Sequence, residues 1–277
     1  MIEYKKMQSN GNNFLLLDNR GLHYDADTLV KYTIRDCDIK KGIGADGMLV
    51  IEPSSVADFK MRIINSNGFE SEMCGNGSRC IALYAYEKGI ADYKMSFETL
   101  AGIIRADVKE NIVKIGMGIY EAKGIETVRT FDVLGQTIKY QYMEVGVPHV
   151  IVFWEDNFEF DRGMMRQVGR AFDTNHDVFP RGTNVNFVRK LEGKKIEVIT
   201  YERGVEDITD SCGTGSCASA VISSIRYKMA SPIEAINIGG INNVYFEFVD
   251  DKVRIDLEGV VYYSGEIRCA SLNQKGL

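Results

Sequence analysis

Two segments of the chain alternate between apolar and polar residues on either side of a short polar turn. Residues 101–118 read AGIIRADVKENIVKIGMG, and residues 239–259 read GGINNVYFEFVDDKVRIDLEG. A period of two residues is typical of β-strands with one buried face, and the stretches KEN and VDD have the composition of turns. The pattern therefore predicts a β-hairpin in each segment.

A run of small and apolar residues precedes each predicted hairpin. The runs are SRCIALYAYEKGI at 78–90 and SCASAVISSIRYKMA at 216–230. Each follows a turn that opens with a cysteine and contains two glycines, CGNG at Cys74 and CGTG at Cys212. We interpret both runs as helices, and their small and apolar faces predict burial inside a sheet rather than on its surface.

The two halves of the chain repeat one another at matched distances. Gly102 lies as far beyond Cys74 as Gly240 lies beyond Cys212, and GNNFLLLD near the start corresponds to GVPHVIVF near the middle. Matched spacing over most of the chain favours an internal repeat over chance similarity of two glycine-rich turns. Each half predicts the same order of strand, helix, strand, strand, Cys-Gly turn, helix and hairpin.

The repeat predicts an α/β fold of the α+β type with two pseudo-symmetric domains. Each domain is expected to be a curved mixed or antiparallel sheet wrapped around a central helix. We expect the first domain to contain residues 1–118 and 265–277, and the second to contain residues 119–264. In this arrangement the two helix-opening cysteines face one another across the cleft between the domains.

Composition and charge narrow the class of protein. The chain has 277 residues, of which 45% are hydrophobic, and a net charge of −6. Nucleic acids and anionic membrane surfaces require a basic face, so we expect neither as a partner. The sequence contains no recognisable secretory signal and no apolar segment of about 18 residues, which predicts a reducing, cytoplasmic compartment.

The chain contains six cysteines, which we expect to be thiols in such a compartment. A zinc site is disfavoured, because the spacing of Cys74 and Cys80 does not match paired zinc ligands and only three histidines could complete a set. We interpret Cys37, Cys80, Cys217 and Cys269 as core residues, the commonest environment of a free cysteine.

A cysteine at the N-terminus of a helix has distinct chemistry. The unpaired N–H groups concentrate partial positive charge there, which lowers the pKa of a thiol and attracts carboxylates. With Cys74 and Cys212 on opposite sides of one carbon, a thiolate can remove a proton while a thiol delivers another. The helix ends can stabilise the carbanion through its carboxylate, so inversion of an α-amino acid needs no cofactor or metal.

Eight short segments, in order along nearly the whole chain, match the pattern of a known family. They are GNNF (11–14), GIGADG (42–47), NSNG (65–68), MCGNGSRC (73–80), GVPH (146–149), FPRGTNVNFV (179–188), YERG (201–204) and SCGTGSCAS (211–219). On these segments the sequence resembles the diaminopimelate epimerases, of the cofactor-independent, two-cysteine amino acid racemase superfamily. The resemblance implies the epimerase fold and interconversion of LL- and meso-2,6-diaminopimelate, for lysine and peptidoglycan synthesis. It also implies a homodimer that needs neither pyridoxal phosphate nor metal.

The resemblance implies roles for the matching positions. Cys74 and Cys212 are implied as the acid and the base, and His149 and Glu202 as tuners of cysteine protonation. The implied substrate-binding residues are Asn12, Asn65, Gly75, Asn76, Asn184, Glu202, Arg203, Gly213 and Thr214. Within this set, backbone N–H groups after each cysteine meet the reacting carboxylate, Arg203 binds the distal carboxylate and Glu202 meets an ammonium.

Three positions depart from the family pattern and leave the substrate open. Gly47 stands where several members have Gln, Val147 where many have Asn, and Asn13 where Asp is usual. The same chemistry on lanthionine, or on a single amino acid such as histidine, therefore remains an alternative. Two alternatives of other classes are a phosphate- or nucleotide-binding module that uses the glycine-rich turns, and a cysteine hydrolase built on Cys74 and His149.

Overall fold

The computed structural model describes residues 1–156 and 161–271. The chain divides into two compact units, the first formed by Met1–Ile115 with the segment from Gly259 on, and the second by Gly116–Glu258. The domain assignment made from the sequence stays a prediction, and its residues 272–277 lie outside the described residues.

Strands dominate the first part of the chain, which also contains two helices separated by strands. In chain order the elements are β1 (Ile2–Ser9), β2 (Asn12–Asp18), α1 (Ala26–Cys37), β3 (Gly47–Glu52), β4 (Phe59–Asn65), β5 (Glu70–Ser71), α2 (Gly75–Glu87), β6 (Lys94–Thr99), β7 (Gly102–Lys109) and β8 (Ile112–Glu121).

The second part of the chain has the same alternation of strands and helices. Its elements are β9 (Arg129–Val133), β10 (Gln136–Val145), β11 (Val147–Phe153), a 3₁₀ turn (Trp154–Asp156), α3 (Arg162–Asp173), β12 (Asn184–Lys190), β13 (Lys195–Glu202), β14 (Asp207–Thr209), α4 (Gly213–Tyr227), β15 (Ile233–Asn237), β16 (Gly240–Val249), β17 (Lys252–Val260) and β18 (Tyr262–Cys269).

Strand order is identical in the two units. The first unit has the order β18-β1-β2-β3-β4-β6-β7-β8, and the second has β9-β10-β11-β12-β13-β15-β16-β17. The short strands β5 and β14 pair with β4 and β13. The parallel pairs are β2/β3 and β4/β6 in one unit and β11/β12 and β13/β15 in the other. The predicted internal repeat and both predicted hairpins, β7/β8 and β16/β17, are confirmed.

The helix that follows each cysteine is buried on all sides. Every residue of α2 from Asn76 to Ala85 is buried, as is every residue of α4 from Gly215 to Ser224. A helix that is buried all round must be enclosed rather than lie on a surface. Accordingly α4 contacts strands β10, β11, β12, β13, β15 and β16, and α2 contacts β1, β2, β3 and β7. The predicted central helix inside a mixed sheet is therefore confirmed for both units.

The opposite face of each sheet packs against the other helix of the unit. α1 contacts β3 and β4, and α3 contacts β12, β13 and β14. Leu29 and Tyr32 of α1 join a buried cluster with Leu15 and Leu17 of β2. Because β2 is covered on both faces, Phe14–Leu17 form a continuous apolar run instead of alternating with polar residues. No described helix is long and apolar enough to cross a membrane.

The order of elements inferred from the sequence lacked several strands. Among them are β1 and β10, which precede Gly11 and Gly146, β6 and β15, which follow the central helices, and the outer strands β9 and β18. These strands bury only part of their surface: β1 reads IEYKKMQS and alternates irregularly between buried and exposed positions. A half-exposed strand that carries charges on its outer face has a weak hydrophobic pattern, which accounts for the omission.

The registers of the strands make positions in the two sheets equivalent. Phe14 pairs with Gly47 across the parallel strands β2 and β3, and His149 pairs with Asn184 across β11 and β12. Phe14 therefore corresponds to His149, and Gly47 to Asn184. This equivalence identifies where the halves have diverged in side-chain chemistry on one backbone plan.

Candidate active site

Cys74 is the N-cap residue of α2. Its backbone is extended, and its Sγ accepts a hydrogen bond from the backbone N–H of Gly77 at 3.5 Å. Gly75 and Asn76 form the first turn of the helix, where the N–H groups have no partner within the helix. A sulfur that accepts an N–H at the positive end of a helix is favoured as a thiolate.

Cys212 has the same geometry at the start of α4. Its Sγ accepts from the N–H of Gly215 at 3.4 Å and lies 3.5 Å from the hydroxyl oxygen of Thr214. Gly213 and Thr214 form the first helical turn. Both units thus present a buried helix whose N-terminus is capped by sulfur and is followed by N–H groups available to an anion.

Asn12, Asn76 and Arg79 form a chain of hydrogen bonds behind the start of α2. The fully buried Arg79 donates to Asn76 Oδ1 at 2.5 Å and to Ser9 Oγ at 3.0 Å, and Asn76 Nδ2 donates to Asn12 Oδ1 at 2.5 Å. Because a guanidinium can only donate, the Asn76 amide must turn its nitrogen toward Asn12. Asn12 can therefore meet further partners with Nδ2 as a donor and with the second lone pair of Oδ1 as an acceptor.

Asn65 and Glu202 occupy equivalent positions at the ends of β4 and β13. Asn65 Nδ2 donates to Ser71 Oγ at 2.8 Å, and the hydroxyl of Thr209 donates to Glu202 Oε2 at 2.8 Å. Both partners lie on the short strands that lead to the cysteine turns. Burial raises the pKa of Glu202 from its usual value, opposed in part by the Thr209 hydrogen bond.

Asn184 and Arg203 are held together beside Glu202. Asn184 is buried at the start of β12, and its Oδ1 accepts from the backbone N–H of Arg203 at 2.9 Å. The guanidinium of Arg203 donates to the carbonyl of Arg181 at 2.6 Å. β12 and β13 are antiparallel, so the start of one lies beside the end of the other. An amide, a carboxylate and a guanidinium are thereby gathered at one end of this pair, a set that suits an ammonium and a carboxylate.

His149 is fully buried in β11. Burial, the larger cause, and the positive charge of Arg203 together lower the pKa of its imidazole from 6.5 to about 3. The ring is therefore uncharged at neutral pH. It acts on its neighbours through hydrogen bonds and not as a cation.

Comparison with known proteins agrees with the family resemblance of the sequence over most of the chain. The family model described as diaminopimelate epimerase matches residues 4–122 and 141–266. A diaminopimelate epimerase from Caldanaerobacter subterraneus subsp. tengcongensis is 38% identical over 96% of this chain and 96% of that protein. Another, from Aquifex aeolicus, is 35% identical over 94% of this chain and 95% of that protein. This chain belongs to the diaminopimelate epimerase family.

Solved structures share the fold at much lower sequence identity. A phenazine biosynthesis protein of the PhzF family from Bacillus anthracis superposes with a TM-score of 0.69 at 15% identity, over 96% of this chain and 98% of that one. A probable proline racemase from Agrobacterium radiobacter K84 gives 0.68 at 16% identity, over 99% and 94%. These similarities concern the fold, and the epimerase-like architecture inferred from the resemblance is confirmed.

Contacts in the structure account for the residues at two of the three positions that depart from the family pattern, Gly47 and Asn13. A Cβ at Gly47 would lie 2.7 Å from the carbonyl oxygen of Ile64 and 3.3 Å from the Cα of Asn65, so a side chain there requires β3 and β4 to separate. Asn13 bonds Asp46 Oδ2 through its backbone N–H at 2.8 Å and through Nδ2 at 3.1 Å. The close approach of the β4 backbone next to Asn65 thus leaves no room for a side chain at position 47. Asn13 is hydrogen-bonded to its neighbour Asp46.

The remaining cysteines have environments unlike those of the two caps. Cys37, Cys80 and Cys217 are buried, and burial raises the pKa of Cys37 to about 12 and that of Cys80 as well. Burial also raises the pKa of Cys269. None of the six cysteines, all of which lie within the described residues, forms a disulfide. Within residues 1–156 and 161–271, no group of three or more His, Cys, Asp or Glu side chains could hold a metal ion.

Several side chains that hold the predicted ones in place were not predicted from the sequence: Arg79, Ser71, Thr209 and Asn186. A signal existed for two of them, because Arg79 lies inside MCGNGSRC and Asn186 inside FPRGTNVNFV. An arginine is almost never fully buried unless it has partners. An arginine within a helix predicted to be enclosed by a sheet was therefore a detectable sign of an internal polar network.

We predict that His149 makes stability depend on pH. The unfolded chain binds a proton at this residue below about pH 6.5, whereas the folded chain resists protonation down to a pKa of about 3. This contribution to the free energy of unfolding is complete above pH 6.5 and declines on acidification, by at most about 1.4 kcal/mol per pH unit.

The matched control is His149→Phe, since the equivalent position of the first unit is Phe14. Urea unfolding of both proteins between pH 7 and pH 4 measures the effect. The free energy of unfolding of the wild type, relative to that of the variant, should decrease as the pH is lowered from 7 to 4. A constant difference across this range would contradict the assignment of a buried, neutral imidazole.

Proposed function

We propose that this protein is a diaminopimelate epimerase that interconverts LL-2,6-diaminopimelate and the meso form, a reaction of lysine and peptidoglycan synthesis. The observation that carries the proposal is the repeated cap, a cysteine sulfur at the N-terminus of a buried helix in each half of the chain. Membership of the family supports the same activity.

In the proposed reaction, one of Cys74 and Cys212 is a thiolate and the other a thiol. The thiolate removes the α-proton from one face of the substrate, and the thiol delivers its proton to the opposite face. The first sulfur ends protonated and the second ends as the thiolate, so the charge balances and the reverse reaction exchanges the roles. Backbone N–H groups of Gly75, Asn76, Gly213 and Thr214 stabilise the negative charge on the reacting carboxylate.

The distal end of the substrate is assigned to the polar set around Arg203. Its guanidinium binds the distal carboxylate, and Glu202 meets the distal ammonium. Asn65 and Asn184 complete the hydrogen bonds to these groups. Asn12 can donate from Nδ2 to a carboxylate oxygen of the substrate, while its Oδ1 accepts from Asn76.

We also propose which cofactors, partners, compartment and oligomeric state the enzyme has. Proton transfer between sulfur and carbon is complete with the two thiols, so the proposed enzyme is independent of pyridoxal phosphate and of metal. Its partner is a small-molecule amino acid, with neither nucleic acid nor membrane involved. We assign it to the cytoplasm as a homodimer, with His149 and Glu202 tuning cysteine protonation.

We predict that replacing either cap abolishes inversion. Loss of a positioned acid or base costs about 10²- to 10⁴-fold in rate. Cys74→Ala and Cys212→Ala should each lower conversion of LL- to meso-diaminopimelate by this factor, measured by chiral chromatography in the presence of a thiol reductant.

The matched control for the cysteine variants is Cys80→Ala. Cys80 is buried in α2 away from its first turn, and Ala218 occupies the equivalent position of α4. This variant should keep wild-type turnover. Conversion that persists in either capping variant at more than a tenth of the wild-type rate would contradict the two-thiol mechanism.

A second prediction concerns the choice of a two-ended substrate. Charge-assisted hydrogen bonds contribute about 1.5–3 kcal/mol each, so Arg203→Ala should lower kcat/KM for diaminopimelate about 10- to 100-fold. Kinetics with diaminopimelate, lanthionine, lysine and histidine measure the effect and the preference. The wild type should favour diaminopimelate over the other three.

Arg189→Ala provides the control for loss of a surface guanidinium, because the exposed Arg189 pairs with the half-buried Glu197 at 2.8 Å near the end of β12. Its kinetics should match the wild type. Unchanged kcat/KM in Arg203→Ala would contradict the assignment of the distal carboxylate to Arg203. Faster turnover of lanthionine or histidine than of diaminopimelate would show that the substrate is a different amino acid.

A further inference from the structure

Three equivalent positions beneath the start of each central helix differ in chemistry between the halves. In the first unit Leu49 pairs with Leu16 on β2 and with Ile63 on β4. In the second, Asn186 pairs with Ile151 on β11 and with Thr200 on β13. Phe14 and His149 lie two residues before Leu16 and Ile151. The set Phe14, Leu49 and Ile63 is therefore replaced in the second unit by His149, Asn186 and Thr200.

Both sets lie directly against the helical turn that follows the cysteine. A Cβ at Gly77 would be 3.1 Å from Leu49 Cδ2 and 3.6 Å from Phe14 Cζ. A Cβ at Gly215 would be 2.3 Å from Asn186 Oδ1. The absence of a Cβ at Gly77 and Gly215 therefore leaves room for the side chains of Leu49 and Asn186. The polar set of the second unit occupies the position that apolar side chains occupy in the first.

Packing alone does not require polar side chains at these positions. His149 and Asn186 have exposed fractions of 0%, and Thr200 of 2%. Burying polar groups costs free energy unless they are hydrogen-bonded, and the first unit achieves the same fold with apolar residues. The polar set therefore points to a role beyond holding the helix on the sheet.

The hydrogen bonds of Asn186 fix the position of the proton on His149. Asn186 Nδ2 lies 3.1 Å from the carbonyl oxygen of Val150, which can only accept, so the amide nitrogen must face this way. The same Nδ2 lies 3.2 Å from His149 Nδ1. The hydroxyl of Thr200 donates to Asn186 Oδ1 at 2.9 Å, consistent with this orientation. Nδ1 is therefore the acceptor, and the proton of the neutral ring lies on Nε2.

We propose that Asn186 is a positioning residue that holds His149 as a neutral donor with its proton on Nε2. The Nε2 atom is buried, and no described residue accepts from it. The only lone pair of the ring, on Nδ1, is occupied by Asn186. An acceptor that reaches Nε2 is thus offered a hydrogen bond, whereas the ring has no free lone pair with which to take a proton from a thiol. This role rests on the proposed function, whereas the position of the proton does not.

The position of the proton is tested directly by long-range ¹H–¹⁵N correlation spectra of the full-length protein labelled with ¹⁵N-histidine. The chain has three histidines, and the spectrum of His149→Phe assigns the signals of His149. We expect a pyrrole-type Nε2 and a pyridine-type Nδ1 at pH 7. The reverse pattern, averaged shifts of two exchanging tautomers, or a charged ring overturns the proposal without any variant of Asn186.

The role of Asn186 is tested by Asn186→Leu, which copies Leu49 of the other half. Loss of the Nδ2 donor should abolish the preference for Nε2–H and lower kcat for inversion about 10- to 100-fold. Thr200→Val is the control and should retain the Nε2–H signal, because the Val150 carbonyl orients the amide. An unchanged tautomer in Asn186→Leu, or a lost one in Thr200→Val, overturns the assignment.

The two readouts separate this inference from the proposed function. If wild-type protein shows the Nε2–H form but no epimerase activity, the proposed function fails and the proton position stands. If activity is present and Asn186→Leu loses the tautomer without loss of kcat, the donor does not serve the reaction and the positioning role is wrong.

Discussion

The structure depends on the hydrogen bond between a backbone N–H and a cysteine sulfur at the start of a helix enclosed by its own sheet. A helix that ends in solvent can leave its first N–H groups to water, but a buried helix cannot. Cys74 and Cys212 each satisfy one of these groups, through Gly77 and Gly215. The neighbouring N–H groups remain for a ligand, so the need to cap the helix and the capacity to bind a carboxylate arise from one feature.

The internal repeat provides two versions of this feature on one backbone plan, and the versions have diverged in their side chains. The strand order and registers are shared, yet Asn65 faces Ser71 where Glu202 faces Thr209. Phe14 occupies the position that His149 takes in the second unit. Diaminopimelate carries an ammonium and a carboxylate at each end, but in the proposed reaction one end is inverted while the other is only bound. The two ends therefore require unlike partners, which a strictly symmetric protein cannot offer. The polar second half and the more apolar first half fit that requirement.

Much of this could be predicted from the sequence, because the decisive signals were local. Cysteine-glycine turns ahead of small, apolar runs indicated capped and buried helices, and the matched spacing around Cys74 and Cys212 indicated the repeat. Hydrogen-bond partners distant in sequence could not be predicted. Arg79 reaches Ser9, and Asn186 reaches His149 across neighbouring strands, through registers that only the folded sheet defines. From the sequence, Gly47 suggested a different substrate. In the structure, a side chain at this position would collide with the backbone of β4.

The proposed action of two thiols on opposite faces of one carbon can be measured in the early time course of the reaction in D₂O. LL-diaminopimelate is supplied with its ordinary α-hydrogen, and deuterium is followed by mass spectrometry in both product and remaining substrate. With two thiols, product should carry deuterium from the first turnovers while remaining substrate keeps its hydrogen, because one sulfur removes the proton and the other supplies solvent-derived deuterium. Deuterium that enters substrate and product together at early times would contradict it, since a single base would then serve both faces.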